Sequence, residues 1–251
     1  MISREVTLTV DNLRIVGQLF LPENGVKNQY PAVCICHGIP AGVADPGDTG
    51  YSLLAKRICN QGFIVLIFNF RGTGTSEGNL DLLGWTRDLS AAIDYLYATP
   101  ELDQAHLSLL GFSAGGAVSI YVTSRDTRIS CVVTCASPAE FNMLSNPVQV
   151  IEHFRSIGVI RDKDFPPSAD KWLSGFRLVS PINHVAHIAP RPLLIVHGSL
   201  DETVNITQAH KLYAAAHEPK KIVPIDGAGH RLRLDNRAIT IVIDWLKSKC
   251  M

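Results

Sequence analysis

Hydrophobic and polar residues follow two different patterns along the chain. In residues 4–10 and 13–21 they alternate, with Asp11-Asn12 between the two segments, which predicts an antiparallel hairpin. The later patterns are short runs that are almost wholly apolar, as expected for strands that a parallel sheet buries on both faces. The runs are residues 32–36, 64–68, 107–110, 129–135, 193–196 and 222–225.

Segments with helical periodicity separate most of these apolar runs. The helical segments are residues 50–61, 83–98, 114–124, 205–216 and 235–249. A repeated order of strand, helix and strand is typical of a doubly wound α/β sheet. The chain is therefore predicted to be an α/β protein with a mostly parallel sheet of about eight strands, an antiparallel start and helices on both faces. Ligands bind such sheets in the crevice at the carboxyl ends of the strands.

One interval, residues 138–190, contains no apolar strand. It is too long and too rich in aromatic residues for a bare loop, and Pro166-Pro167 lies near its middle. We expect a small helical cap inserted over the sheet of a single domain spanning residues 1–251, the alternative being an ordinary surface excursion. Because ligand pockets are mostly apolar, some side chains of this interval are expected to line a pocket for an acyl group. The candidates are Phe141, Met143, Phe154, Trp172 and Phe176.

The composition excludes several classes of protein. Lys and Arg number 23 and Asp and Glu number 23, so the net charge is zero and no basic surface for nucleic acid or anionic lipid is expected. The chain has no apolar run of roughly 18 residues, the length that predicts a membrane span. Four of the six cysteines lie in apolar runs, which is typical of reduced thiols, and the polar N-terminus lacks a signal-peptide core. A cytoplasmic location is therefore expected.

The residues that follow the predicted strand 107–110 carry the strongest chemical signal. They read Gly-Phe-Ser-Ala-Gly, the G-x-S-x-G pattern, with Ser113 at its centre, and a helical segment follows at once. Such a tight turn leaves the serine hydroxyl exposed as a nucleophile and directs the N–H of Ala114 into the site. The alternative is a helix start whose small residues only pack on the sheet.

A serine nucleophile needs a base, and the base needs a carboxylate to orient it. His230 lies on a glycine-flanked loop after the last predicted strand, and Asp201 lies just beyond strand 193–196. The chain order Ser113, Asp201, His230 is the order expected for this type of sheet. Glu202 is the neighbour most easily mistaken for the acid, and Glu140 is a more distant alternative.

The oxyanion of an acyl-transfer reaction needs two N–H donors. Ala114 supplies one, and the loop after strand 32–36 is expected to supply the other. Ile39 is the predicted donor, because Pro40 has no N–H, and Gly38 is the alternative.

Two other motifs lack the full pattern of a ligand site. Residues 70–78 resemble a glycine-rich nucleotide loop, but Glu77 occupies the place of the last glycine, so a structural turn beneath the site loops is predicted. His184 and His187 have the spacing of a helical metal pair, but no third ligand is evident. Neither a metal ion nor an organic cofactor is therefore expected.

Taken together, these motifs resemble the α/β-hydrolase superfamily over the whole chain. The stretch Asn69-Phe70-Arg71-Gly72 is similar to the branch of bacterial carboxylesterases, cinnamoyl or feruloyl esterases and dienelactone-hydrolase-like proteins. Dienelactone hydrolases proper carry a cysteine nucleophile and haloalkane dehalogenases an aspartate, whereas this chain has Ser113. The resemblance implies a triad and an oxyanion hole made of Ser113, His230, Asp201, Ile39 and Ala114.

The expected activity is hydrolysis of a small-molecule ester through an acyl-enzyme, by a monomer or homodimer with no nucleic-acid or membrane partner. A thioesterase or a prolyl-peptidase-like peptidase would use the same residues. A peptidase of that kind would need an acidic pair to hold the peptide amine, and Glu140 and Glu152 are not adjacent. A non-catalytic binding protein on a hydrolase scaffold is the alternative from another class, although all three triad positions are filled.

Overall fold

The computed structural model describes residues 1–23, 29–42, 50–141 and 146–250. An eight-stranded sheet with the strand order β1-β2-β4-β3-β5-β6-β7-β8 forms its centre. β2 pairs antiparallel with both β1 and β4, and the other pairs are parallel. The strands are β1 (Ile2–Val10), β2 (Leu13–Leu21), β3 (Tyr30–Cys36), β4 (Ile64–Phe68), β5 (Leu102–Phe112), β6 (Ile129–Cys135), β7 (Leu193–Gly198) and β8 (Lys220–Ile225).

Helices cover both faces of the sheet. The five predicted helices are present, and two more lie between β6 and β7. The α/β fold expected from the sequence is therefore confirmed. The helices are α1 (Ser52–Cys59), α2 (Leu82–Tyr97), α3 (Ala114–Thr123), α4 (Pro147–Ser156), α5 (Ala169–Val179), α6 (Thr207–Ala215) and α7 (Asn236–Cys250).

The apolar runs form strands because each strand supplies side chains to two cores. All seven residues of β3 are buried. Cys34 belongs to the core beneath α2, α3 and α6, whereas Val33 and Ile35 belong to the core beneath α1 and α7. Successive strand residues point to opposite faces, so a continuous apolar run is what burial on both faces requires.

The segment between β6 and β7 is joined to the rest of the protein at several points. The indole N–H of Trp172 donates to the carbonyl of Leu80 at 2.8 Å. The guanidinium of Arg161 donates to the carbonyls of Ser76 and Gly74, which follow β4. A Cβ on Gly42, which follows β3, would meet Ile157. Part of this segment therefore lies at the carboxyl ends of β3 and β4.

The parallel strands bring their carboxyl ends to one edge of the sheet. The loops after β3, β4, β5, β7 and β8 carry the candidate functional residues to this edge. None of the described helices is long and apolar enough to cross a lipid bilayer.

Candidate active site

Ser113 occupies the sharp turn between β5 and α3. Its backbone angles are φ 52° and ψ −125°, a conformation that costs a non-glycine residue on the order of 1–3 kcal/mol. The turn is possible because glycines lie two residues before and two residues after Ser113. A Cβ on Gly111 would lie 2.5 Å from the Cα of Gly116, and a Cβ on Gly115 would meet the carbonyl of His37. The sequence predicted this geometry from the G-x-S-x-G pattern.

Asp201 and His230 are hydrogen-bonded to each other. His230 Nδ1 lies 2.8 Å from Asp201 Oδ2. Because an ionised carboxylate only accepts hydrogen bonds, Nδ1 carries the proton and Nε2 is left as an acceptor. A residue in this tautomer can receive the proton of a serine hydroxyl. The loop after β7 and the loop after β8 thus supply the two partners.

The carboxylate of Asp201 is buried but accepts several hydrogen bonds. Its Oδ1 accepts from the backbone N–H groups of Thr203 and Val204, at 2.9 and 2.8 Å. His197 Nε2 lies 3.3 Å from Oδ2. Burial opposes ionisation, but the hydrogen bonds from His197, His230 and the Val204 N–H outweigh it and hold the pKa of Asp201 well below its usual range. Asp201 is therefore anionic at neutral pH.

Ser113 and His230 line one cavity of about 600 Å³ together with Ile39. Ala114, the other predicted oxyanion donor, is the buried first residue of α3. Sequence reasoning did not assign several side chains of the lining to the site, although Phe112 and Arg231 directly adjoin Ser113 and His230 in the sequence. These unpredicted side chains are Tyr51, Asn69, Thr73, Phe112, Ile157, Arg231, Leu232 and Arg233.

His37 fixes the loop after β3. Its Nδ1 lies 2.6 Å from the carbonyl of Gly38, and its Nε2 accepts from the N–H of Phe70 at 3.1 Å. Burial lowers the pKa of His37 to about 4, so the ring is neutral near pH 7. In a trans peptide the carbonyl and the following N–H point in opposite directions. Anchoring the Gly38 carbonyl therefore also orients the N–H of Ile39.

The loop after β4 is held by a buried ion pair. Arg71 Nη2 lies 2.7 Å from Asp88 Oδ1 on α2, and the backbone N–H of Arg71 donates to the same carboxylate. The indole of Trp85 donates to the Arg71 carbonyl and stacks on Phe70, with ring centroids 4.3 Å apart. This loop contacts His37, as expected for the structural turn predicted for residues 70–78, and its Thr73 and Gly74 also line the cavity with Ser113.

Three of the predicted pocket residues belong to the core instead. Phe154, Trp172 and Phe176 are 8, 5 and 1% exposed and pack against one another, so a substrate could reach almost none of their surface. None of the three is among the described residues that line the cavity with Ser113. Phe141 is half-buried against Phe176, and Met143 lies outside the described residues. Among the described residues of this segment, Ile157 lines the cavity that contains Ser113 and His230.

Comparison with known proteins agrees with the fold. Residues 31–166 match the sequence model of a family described as alpha/beta hydrolase fold. The chain belongs to the α/β-hydrolase family.

The relatives of this hydrolase include an uncharacterized protein and a peptidase. It is 28% identical over 234 residues to an uncharacterized protein of Mycobacterium tuberculosis, covering 91% of this chain and 72% of that protein. It is 25% identical over 263 residues to dipeptidyl aminopeptidase BIII of Pseudoxanthomonas mexicana, covering 96% of this chain and 37% of the peptidase.

Solved structures show the same fold at low sequence identity. The α/β hydrolase GrgF from Penicillium has a TM-score of 0.78 at 19% identity, covering 100% of this chain and 99% of that chain. The esterase domain of a Rhodothermus marinus protein has a TM-score of 0.71 at 24% identity, covering 99% of this chain and 97% of that chain.

Proposed function

We propose that this hydrolase cleaves a carboxylic ester through an acyl-enzyme formed on Ser113. The observation that carries the proposal is the 2.8 Å hydrogen bond between His230 and the buried Asp201, in a cavity that His230 shares with Ser113. A strained serine turn, an oriented imidazole and an ionised carboxylate are the parts of a Ser-His-Asp triad.

Acylation uses these groups in order. The Oγ of Ser113 attacks the ester carbonyl while Nε2 of His230 takes its proton. Asp201 stabilises the imidazolium that forms. The N–H groups of Ile39 and Ala114 donate to the oxyanion of the tetrahedral intermediate, and each donor is worth about 2.7–4 kcal/mol. Collapse of the intermediate breaks the bond to the alcohol oxygen, which leaves with the proton of His230.

Deacylation repeats the steps with water. His230 takes a proton from water as the water oxygen attacks the acyl carbon. The same N–H groups hold the second oxyanion. The bond to Ser113 Oγ then breaks, His230 returns the proton to this oxygen, and the carboxylic acid product leaves. Every proton transfer in the cycle passes through His230.

The charges near the site favour an ester over a peptide substrate. Recognition of a peptide amine calls for carboxylates in the cavity, and the described part of its lining contains none. Glu140 forms an ion pair with Lys211 at 3.1 Å, and Glu152 is exposed on α4. Because one relative is a dipeptidyl aminopeptidase, peptide cleavage is the activity that the assay must set against ester cleavage.

A substrate panel with a labelling control tests the proposal. A fluorophosphonate probe should label the wild-type protein and not Ser113→Ala. Turnover of p-nitrophenyl acetate and butyrate should exceed that of an aminoacyl anilide, with an acyl thioester and a hydroxycinnamate ester as further arms. If the probe labels the protein and the anilide is cleaved but the esters are not, the protein is a peptidase and not an esterase. Absence of labelling would favour a non-catalytic binding protein.

A further inference from the structure

His197 is a buried histidine that the triad mechanism does not use. It is the penultimate residue of β7, and its exposure is 0%. It is not among the described residues that line the cavity with Ser113. Any effect of His197 on the reaction must therefore pass through another residue.

The proton of His197 lies on Nε2. This nitrogen is 2.7 Å from the carbonyl of Val204 and 3.3 Å from Asp201 Oδ2, and both neighbours are acceptors. The other ring nitrogen, Nδ1, is buried and has no hydrogen-bond partner among the described residues. An unpaired buried polar atom costs on the order of 1–3 kcal/mol. A role that consists only of filling space would be met better by an apolar side chain.

The Nε2–H of His197 links both ends of the loop that carries the acid. The N–H of Val204 donates to Asp201 Oδ1, while its carbonyl accepts from His197. His197 thus closes this turn and also approaches Oδ2, the oxygen that accepts from His230. His197 contacts the carboxylate of Asp201 from the side of β7, and His230 contacts it from the side of the cavity.

We propose that His197 is a positioning residue, whose Nε2–H holds the carboxylate of Asp201 in the orientation that His230 requires. The proposal rests on the proposed function. Loss of the N–H donor would let the loop and the carboxylate shift. A displacement of about 1 Å in such a group costs up to about 100-fold in rate. Because His197 does not line the cavity, kcat should fall and KM should stay unchanged.

Three variants separate the hydrogen-bond donor from the bulk of the side chain. In His197→Gln the amide nitrogen can take the place of Nε2, whereas in His197→Asn the amide is one methylene shorter and falls short of Val204. His197→Leu removes the donor altogether. Thr134→Val on the neighbouring strand β6 is the matched control, because Thr134 Oγ1 is also buried without a hydrogen-bond partner among the described residues. Thr134, like His197, is not among the described residues that line the cavity with Ser113.

The test measures kcat and KM with p-nitrophenyl acetate beside urea unfolding of each variant. His197→Asn and His197→Leu should lose roughly 10–100-fold in kcat at unchanged KM. His197→Gln should stay within about threefold of wild type, and Thr134→Val should match wild type. The Gln and Asn pair decides the question if the Leu variant does not fold.

Two results would overturn the proposal. One is kcat within about twofold of wild type in folded His197→Asn, and the other is a loss in His197→Gln as large as in His197→Asn. Ser113→Ala belongs in the same panel. If Ser113→Ala keeps its activity, the proposed function fails. If Ser113→Ala is inactive while His197→Asn is unaffected, only the role of His197 fails.

Discussion

Replacement of Asp201 by Asn is the sharpest test of the triad, because the structure predicts which way the new amide would turn. Oδ1 of Asp201 accepts from the backbone N–H groups of Thr203 and Val204. The amide oxygen of Asn must keep this place, since an NH2 group there would face two donors. The amide nitrogen then faces the Nδ1 of His230.

The amide N–H would reverse the tautomer of the imidazole. Facing a donor, Nδ1 of His230 becomes the acceptor and the proton moves to Nε2, which can no longer receive the proton of Ser113. A wrong tautomer of this kind costs on the order of 10⁴ in turnover, which is about 5.4 kcal/mol. The Nε2–H of His197, which lies 3.3 Å from Oδ2 of Asp201, would face the same amide nitrogen. Two donors would then face each other, and this contact would be lost as well.

The assay is the turnover of p-nitrophenyl acetate at pH 7.5, normalised to folded protein. Glu202→Gln is the control, because Glu202 is the exposed neighbour of the buried Asp201. It should retain wild-type turnover. Asp201→Asn with more than a tenth of the wild-type activity would refute the reasoning. If Glu202→Gln were the damaging change, Glu202 would be the acid, and two harmless variants would direct attention to Glu140.

Three further predictions concern the surroundings of the triad. The free energy of unfolding should fall as pH drops from 6.5 to about 4, by up to about 1.4 kcal/mol per unit, because native His37 stays neutral while the unfolded chain binds a proton. His37→Asn should lack this part of the slope in urea titrations. Trp172→Ala should lower the unfolding free energy by about 3–5 kcal/mol, measured by urea unfolding, and leave the ratio of butyrate to acetate turnover unchanged. Ile157→Ala should change that ratio with little loss of acetate turnover, and equal effects on both esters would contradict its place in the cavity.

The strands could be predicted because a strand that is buried on both faces appears in the sequence as a continuous apolar run. β4 and β6 have the predicted boundaries, since every residue inside the predicted runs is apolar or small. β5 shows the limit of this signal. It begins at Leu102 rather than at residue 107, and the added part contains the exposed Gln104. A polar strand extension carries no apolar pattern, so only backbone pairing with β3 reveals it.

The site residues could be predicted where the turn itself restricts the sequence. Gly111 and Gly115 are needed because other backbone atoms occupy the space of a side chain, and this need is visible as a motif. His197 has no comparable signature. Its contact with Asp201 depends on how residues 199–204 fold back on the end of β7, which the order of residues does not specify. The residues of the proposed triad could therefore be named from the sequence, whereas the contact of His197 with Asp201 could not.

The segment between β6 and β7 shows why aromatic content alone does not predict a pocket. Two small helices that pack on a larger domain have little apolar surface, so their largest side chains are the first to be buried between them. Trp172 and Phe176 on α5 meet Phe154 on α4 in this way, with ring centroids 5.8 and 6.4 Å from that of Phe154. The smaller Ile157, at the end of α4, is left to face the loops at the carboxyl ends of the strands. In such an insertion the residues best placed to contact a substrate are those at the helix ends, and the hydrophobic pattern carries the least information about them.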